Sequence, residues 1–244
     1  MKYPFLMIAF SGIICNVYGQ TSYADSLNYI NALNNAKALY TRFINPSTGL
    51  YNGSEYADHS YEIKQGSLFF EPGEFVNGSV VYDGILYENV RLLYDLVDER
   101  IIIKDPFAIY KLALINERLS EFTIADHKFV KLAEDDSLHS IINDGFYEVL
   151  FSGTNTVYKK QKKKIEEELS VSEGVKKSVV TTKLYFILKD KRFYSVNTKG
   201  ALLSVFKNHR NDVQQFMRKN KLNFRNNRQN TIVQVTAYYD AINK

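Results

Sequence analysis

The residues best equipped for chemistry lie together in EYADHSYE, where Glu55, Asp58, His59 and Glu62 place three carboxylates around an imidazole. Imidazole beside carboxylate suits proton transfer and divalent-cation binding. Glu55, Asp58 and His59 are therefore the candidate catalytic group of an atypical hydrolase acting on a glycan or a peptide. The competing reading is a solvated loop, because the preceding NPSTGLYNG is dense in Pro, Gly, Asn and Ser.

Weaker groupings follow along the chain. His139 stands four and three residues after Asp135 and Asp136, which could meet a cation only on a helical turn, and AEDDSLHSIINDG has loop composition. A triad of Ser137, His139 and an acid lacks any signal for an oxyanion hole. His127 at a strand start and His209 in a basic helix read as structural or exposed.

A phenol beside a carboxylate recurs at Tyr82-Asp83, Tyr87-Glu88 and Tyr94-Asp95. Two acids flanking a scissile bond would serve a glycosidase. Asp83 has a simpler role, since Asp-Gly is a preferred type I′ hairpin turn. The three tyrosines then read as half-buried sheet residues with hydroxyls at the rim. GxSxG, HExxH, P-loop, GxGxxG and EF-hand patterns are absent, so neither a cofactor nor a metal site is expected.

Charge supplies a second candidate surface. Residues 20–158 hold 10 Lys/Arg against 20 Asp/Glu, whereas residues 159–244 hold 20 against 7. The two portions either neutralise each other and solvent, or offer a basic face to an anionic partner. Lys199, Lys207, Arg210, Arg218 and Lys219 in the C-terminal tail are the candidate contacts. Nucleic acid is not the expected partner, because Phe206, Phe216 and Tyr238 lie on apolar stripes that require burial.

The chain opens MKYPFLMIAFSGIICNVYGQ, with Lys2, an apolar run from Phe5 to Ile14 and Gly19 before Gln20. This is the pattern of a secretory signal peptide over residues 1–19. Ile14 before Cys15 argues against a lipidated cysteine. No later apolar run reaches the roughly 18 residues of a membrane span. Cys15 is the single cysteine, so the expected mature chain of about 225 residues has no disulfide and depends on its core.

The elements that must position these groups can be read next. Leu27, Ile30, Leu33, Leu39 and Phe43 predict an N-terminal amphipathic helix. From Gly66 to Leu132, short runs such as SLFF, GSVVY, ILYENVRLLYDLV, RIIIK, AIYKLAL, LSEFTI and HKFVKLA alternate with turn signals. They predict an antiparallel meander without room for helical crossovers. GFYEVLFSG with TNTVYKK, and KLYFILKDKRFYSV turning at Lys189-Asp190, predict two more hairpins. KKQKKKIEEELS fits a helix or a lysine-guarded strand end, and VSEGVKKS a flexible connection. Thr198 is a predicted N-cap for a helix with Leu202, Phe206, Val213, Phe216 and Met217 on one stripe, ended by Asn220. A final helix puts Ile232, Val235, Tyr238 or Tyr239, and Ile242 on one face.

LYNGSEY, FVNGSVVYDGILYENVRLLYDL, GFYEVLFSG and ALLSVFKNHRNDVQQFMRKNKLNF, in this order, resemble a family of secreted proteins of Bacteroidota-type bacteria that carries no assigned activity. The resemblance implies an envelope or extracellular address, a β-rich body and a helical tail.

The expected fold is α+β: an antiparallel β-meander, barrel-like or sandwich-like, with an N-terminal helix and a C-terminal helical pair. Its body spans 20–197, and residues 198–244 dock on it. The expected function is that of an exported, non-enzymatic accessory or binding protein. Its partner would be an anionic envelope component or another envelope protein. The hydrolase and a lipid carrier are the alternatives.

Overall fold

The structure is a computed structural model, and it describes residues 31–33, 35–36, 49–71, 73–104, 109–133, 141–170 and 174–243. The leader, Asp135, Asp136, Ser137, His139 and most of the N-terminal amphipathic stripe lie outside the described residues. Residues 31–33 and 35–36 are helical (α1) and exposed.

Twelve strands follow: β1 Ser54–Glu55, β2 Ile63–Gln65, β3 Val76–Tyr82, β4 Ile85–Asp95, β5 Arg100–Lys104, β6 Lys111–Ala113, β7 Leu119–Ile124, β8 His127–Leu132, β9 Gly145–Ser152, β10 Thr156–Ser170, β11 Gly174–Lys189 and β12 Arg192–Ser195. They form one sheet in the order β1-β6-β5-β4-β3-β7-β8-β9-β10-β11-β12. All neighbours on this path are antiparallel, and β2 adds a parallel pairing to β11. The sheet is open and not the closed barrel considered from sequence, because the edge strands β1 and β12 do not pair with each other. It curls nonetheless: Lys163 N on β10 donates to Leu96 O just past β4 at 3.1 Å. Lys163 Nζ also donates to Ser67 O at 2.8 Å and to Phe69 O at 2.5 Å.

Local chemistry explains the central hairpin. Asp83 and Gly84 have φ of 51° and 74°, the left-handed pair that a type I′ turn requires. Asn89, φ 57°, is the extra residue of a bulge opposite Gly78 and Ser79, so β4 bends over the core. The second predicted turn shifts by one residue: Asp190 and Lys191 carry the positive φ values, and Lys189 ends β11. SLFF contributes only a bridge from Phe69 to Asp95, and AIYKLAL narrows to β6.

The largest departure is the β10–β11 hairpin. VSEGVKKS does not form a connection as far as Gly174–Ser178 is concerned; those residues are strand, paired to the lysine- and glutamate-rich run of β10. Register explains this, because Glu167 faces Lys177 and Glu168 faces Lys176, and opposite charges directly across an antiparallel pair are favourable.

The tail holds three helices instead of a pair: α2 Lys199–Val205, α3 Arg210–Lys219 and α4 Arg228–Ile242. The predicted continuous stripe breaks between α2 and α3 at a 3-10 turn over Lys207–His209. Thr198 caps α2 by accepting from Ala201 N at 3.1 Å, and Asn227 caps α4 by accepting from Asn230 N at 3.2 Å.

Two main cores result. One is filled by rings of β4, β7, β8 and β9: Phe122 stacks on Phe129 at 4.7 Å, with Tyr94 and Phe146 edge-on. Tyr82 and Tyr94 are fully buried, not half-buried, and the Tyr94 hydroxyl has no hydrogen-bond partner among the described residues. The second core joins Val157, Tyr185 and Ile187 of the sheet to Leu202, Phe206, Val213, Met217, Ile232, Val235 and Tyr239 of the helices. Ile242, predicted on the same face, is exposed.

Candidate functional site

The EYADHSYE loop runs from β1 through a 3-10 turn at Ser60–Glu62 into β2. Asp58 accepts from Ser60 N at 2.9 Å and pairs with Lys111 on β6. Burial alone would raise the Asp58 pKa, but the hydrogen bonds from Lys111 and Ser60 and the Lys111 charge outweigh it and hold the carboxyl below its usual range. His59 Nδ1 lies 3.2 Å from Glu62 Oε1, and Glu62 Oε2 accepts from Lys177 Nζ at 2.5 Å. The Lys177 hydrogen bond, then that of His59, lowers the Glu62 pKa. Glu55 is exposed. The three predicted residues are thus divided: Asp58 turns to Lys111 of β6, His59 to Glu62, and Glu55 to solvent.

Part of the loop does line a cleft of ≈ 400 Å³, with Tyr56, His59, Glu62, Asp95, Asp98 and Lys177 on its walls. Its centre is a pair that sequence reasoning did not connect. Tyr56 Oη donates to Asp95 Oδ2 at 2.6 Å, while Asp95 Oδ1 accepts from Val97 N at 2.8 Å and Asp98 N at 3.2 Å. Asp95 is therefore a fully engaged acceptor that anchors the turn after β4. Asp83 is likewise engaged: Arg118 Nε donates to its Oδ1 at 2.8 Å, and that hydrogen bond lowers its pKa. Among the described residues, no three His, Asp or Glu side chains converge as a metal site.

The basic tail places its candidates unevenly. Lys199 at the start of α2 and Arg218 in the last turn of α3 line one cleft of ≈ 340 Å³, with Lys221, Met217, Gln214 and Leu222. Lys207, Arg210 and Lys219 are exposed elsewhere on the tail and do not line it.

Lys221 was not a sequence candidate. Its position follows from how α3 ends: Leu222 N donates to Met217 O at 2.9 Å and Lys221 N to Arg218 O at 3.2 Å, a Schellman closure. Lys221 occupies the left-handed position of that motif, φ 52°, where glycine is the usual residue. A lysine held there carries backbone strain and brings a third cation to the cleft.

A third cleft, ≈ 490 Å³, opens where the first turn of α4 meets Lys183 and Tyr185 of β11. Its signal in the sequence is RNNRQN, a helix start with arginines and no acid.

Comparison with known proteins finds no matching family model, no matching curated protein and no matching solved structure.

Proposed function

We propose that the protein is an exported, non-enzymatic binding protein whose helical tail engages an anionic component of the cell envelope. The observation that carries this reading is the cleft shared by Lys199, Arg218 and Lys221. Three cations gather there beside the apolar wall of Met217 and Leu222, and none of the three has a carboxylate within 4.0 Å among the described residues. Unneutralised like charges at close quarters repel one another, and an anionic ligand relieves that repulsion. The envelope address rests on the apolar leader and on the resemblance to secreted proteins.

The test is retention of the full chain on an acidic polysaccharide and on vesicles containing an anionic lipid. Charge reversal at Lys199, Arg218 and Lys221 should abolish retention on whichever matrix binds, and added salt should weaken wild-type binding. Retention unchanged by the triple reversal would overturn the assignment of this cleft.

The cleft around Tyr56 and Asp95 favours a second reading, a hydrolase acting on a glycan or peptide, because His59, Glu62 and Asp95 line one recess. Turnover of such a substrate that disappears in His59→Ala would establish it. The lipid-carrier alternative has less support, since rings of Tyr94, Phe122, Phe129 and Phe146 fill the concave interior that a lipid would need.

A further inference from the structure

The first turn of α4 is built against the ordinary electrostatics of helix starts. The helix has 15 residues and a neutral cap, Asn227, and its first turn contains no acid. Its first helical residue is instead Arg228, which places a cation at the positive end of the macrodipole. Asn227 satisfies Asn230 N, and Thr231 N donates to Asn227 O at 3.1 Å. The N–H groups of Arg228 and Gln229 are among the orphan donors that every helix start leaves.

Facing this turn across the cleft is Lys183 of β11. Neither Lys183 nor Arg228 has a carboxylate partner within 4.0 Å among the described residues. Arg228 has the Phe224 ring 5.6 Å beneath its guanidinium carbon, which orients the group.

An independent observation comes from Tyr185. It lies on the cleft wall and is 5% exposed, and its hydroxyl makes no hydrogen bond among the described residues; that oxygen is not one of the buried unpaired atoms, so it is the part of the side chain that opens to solvent. A tyrosine with a buried ring and an open hydroxyl presents a donor to whatever occupies the cleft. Burial raises its pKa, while the nearby Arg228 charge pulls it down and Glu148 pushes it up, so the phenol is a neutral donor close to the guanidinium. Glu148 is the carboxylate felt here, and it is already engaged by Lys159 and by His127 Nδ1 at 2.6 Å.

We infer that the cleft between the start of α4 and β11 is a binding site for a phosphate-type oxyanion, held by Lys183, Tyr185, Arg228 and the first N–H groups of α4. The donors suit such a ligand: two cations, a phenol and helix amides all present hydrogens, and Asn226 and Asn230 supply amides at the rim. The site is distinct from the Lys199, Arg218 and Lys221 cleft and does not depend on it.

The experiment is an amide-resolved NMR titration of the full chain with inorganic phosphate and, separately, with glycerol phosphate as a monoester probe. Saturable shifts at residues 226–230 and 183–185 are expected with at least one of the two. Tighter binding of the ester would mark an organic phosphate as the physiological form, and equal binding would mark the free ion. Lys183→Gln and Arg228→Gln should each weaken binding about tenfold, and Tyr185→Phe about fivefold. Circular dichroism of each variant verifies the fold, and Arg100→Gln, an exposed β5 cation that lines neither basic cleft, should bind as the wild type does. Absence of localised shifts with both probes, or binding indifferent to Lys183→Gln and Arg228→Gln in folded variants, overturns the inference and leaves the polyanion reading of the other cleft standing.

Discussion

Lys160 Nζ lies 2.8 Å from Glu99 Oε2 and 4.8 Å from the centroid of the Tyr147 ring, so an ammonium only 2% exposed is held between a carboxylate and a phenol face. The pair ties β10 to the turn between β4 and β5, where the sheet curls. Burial lowers the Lys160 pKa despite the opposing pull of Glu99. Glu99→Gln removes that pull and should cost about 2–4 kcal/mol, whereas Lys160→Met, which removes the buried charge itself, should cost about 1 kcal/mol or less. A lysine whose folded pKa is depressed binds its proton less readily than in the unfolded chain. Stability of Glu99→Gln should therefore climb as pH rises toward the ordinary lysine value of about 10.4. Urea unfolding at several pH values measures both effects, and a flat profile for Glu99→Gln would contradict the buried-ammonium assignment.

Gly145 belongs to the same corner. Its φ is 133°, and a Cβ there would run into Lys160 Nζ and Glu99 Oε2. Gly145→Ala should thus destabilise by about 2–4 kcal/mol, combining backbone strain with displacement of the ion pair. In the Lys160→Met background the same substitution should cost measurably less. Equal costs in both backgrounds would mean that backbone strain alone is responsible.

The hydrogen bond from Tyr56 to Asp95 spans 39 residues of sequence. Burial first, then the hydrogen bond to Asp95 and its charge, push the Tyr56 pKa far above the usual phenol range. In the unfolded chain tyrosine ionises near pH 10, so above that pH the native state holds more protons and stability falls. Tyr56→Phe should cost about 1 kcal/mol at neutral pH and should flatten the alkaline decline. An alkaline limb as steep as that of the wild type would exclude Tyr56 as its source.

Local chemistry was legible in the sequence where the signal is local. Asp83-Gly84 announced the hairpin, Thr198 and Asn220 the helix limits, and the alternating runs most of the strands. Partnerships across many residues were not: nothing in EYADHSYE points to Asp95 or to Lys111. KKQKKKIEEELS read as a helix or a lysine-guarded strand end and VSEGVKKS as a flexible connection, and only their mutual register makes one long hairpin of the two. The candidate site was legible to the same extent. Lys199 and Arg218 were visible as tail cations, while Lys221 joins them through the three-dimensional closure of α3. Tyr185 carried no signal, because burial of its ring with its hydroxyl open to a cleft is a property of packing.

Lys221 offers a stability test against function. A lysine at φ 52° carries a strain that glycine does not. Lys221→Gly should stabilise the fold by up to about 1 kcal/mol, and the same variant should bind the anionic matrix less well. Gain of stability with undiminished binding would remove Lys221 from the proposed site.

The tail is part of the molecule's core and not an appendage that can be trimmed. Asp240 near the end of α4 accepts from Asn155 N, in the β9–β10 turn, at 3.0 Å, and Asn155 Nδ2 donates to its other oxygen. Phe206, Val213, Ile232 and Val235 are fully buried against the β-strand residues Val157 and Ile187. A chain ending at Asn197 would expose that sheet face, an apolar patch of a kind that soluble monomers seldom carry. Such a truncation should bind a hydrophobic dye and lose cooperative unfolding, which makes it unfit for judging ligand binding. Asp240→Ala tests the anchorage alone: it strands two buried donors and should cost about 2–3 kcal/mol. A truncated chain that unfolds cooperatively without binding the dye would show that the sheet holds itself together, and the helices would then be free to serve the ligand alone.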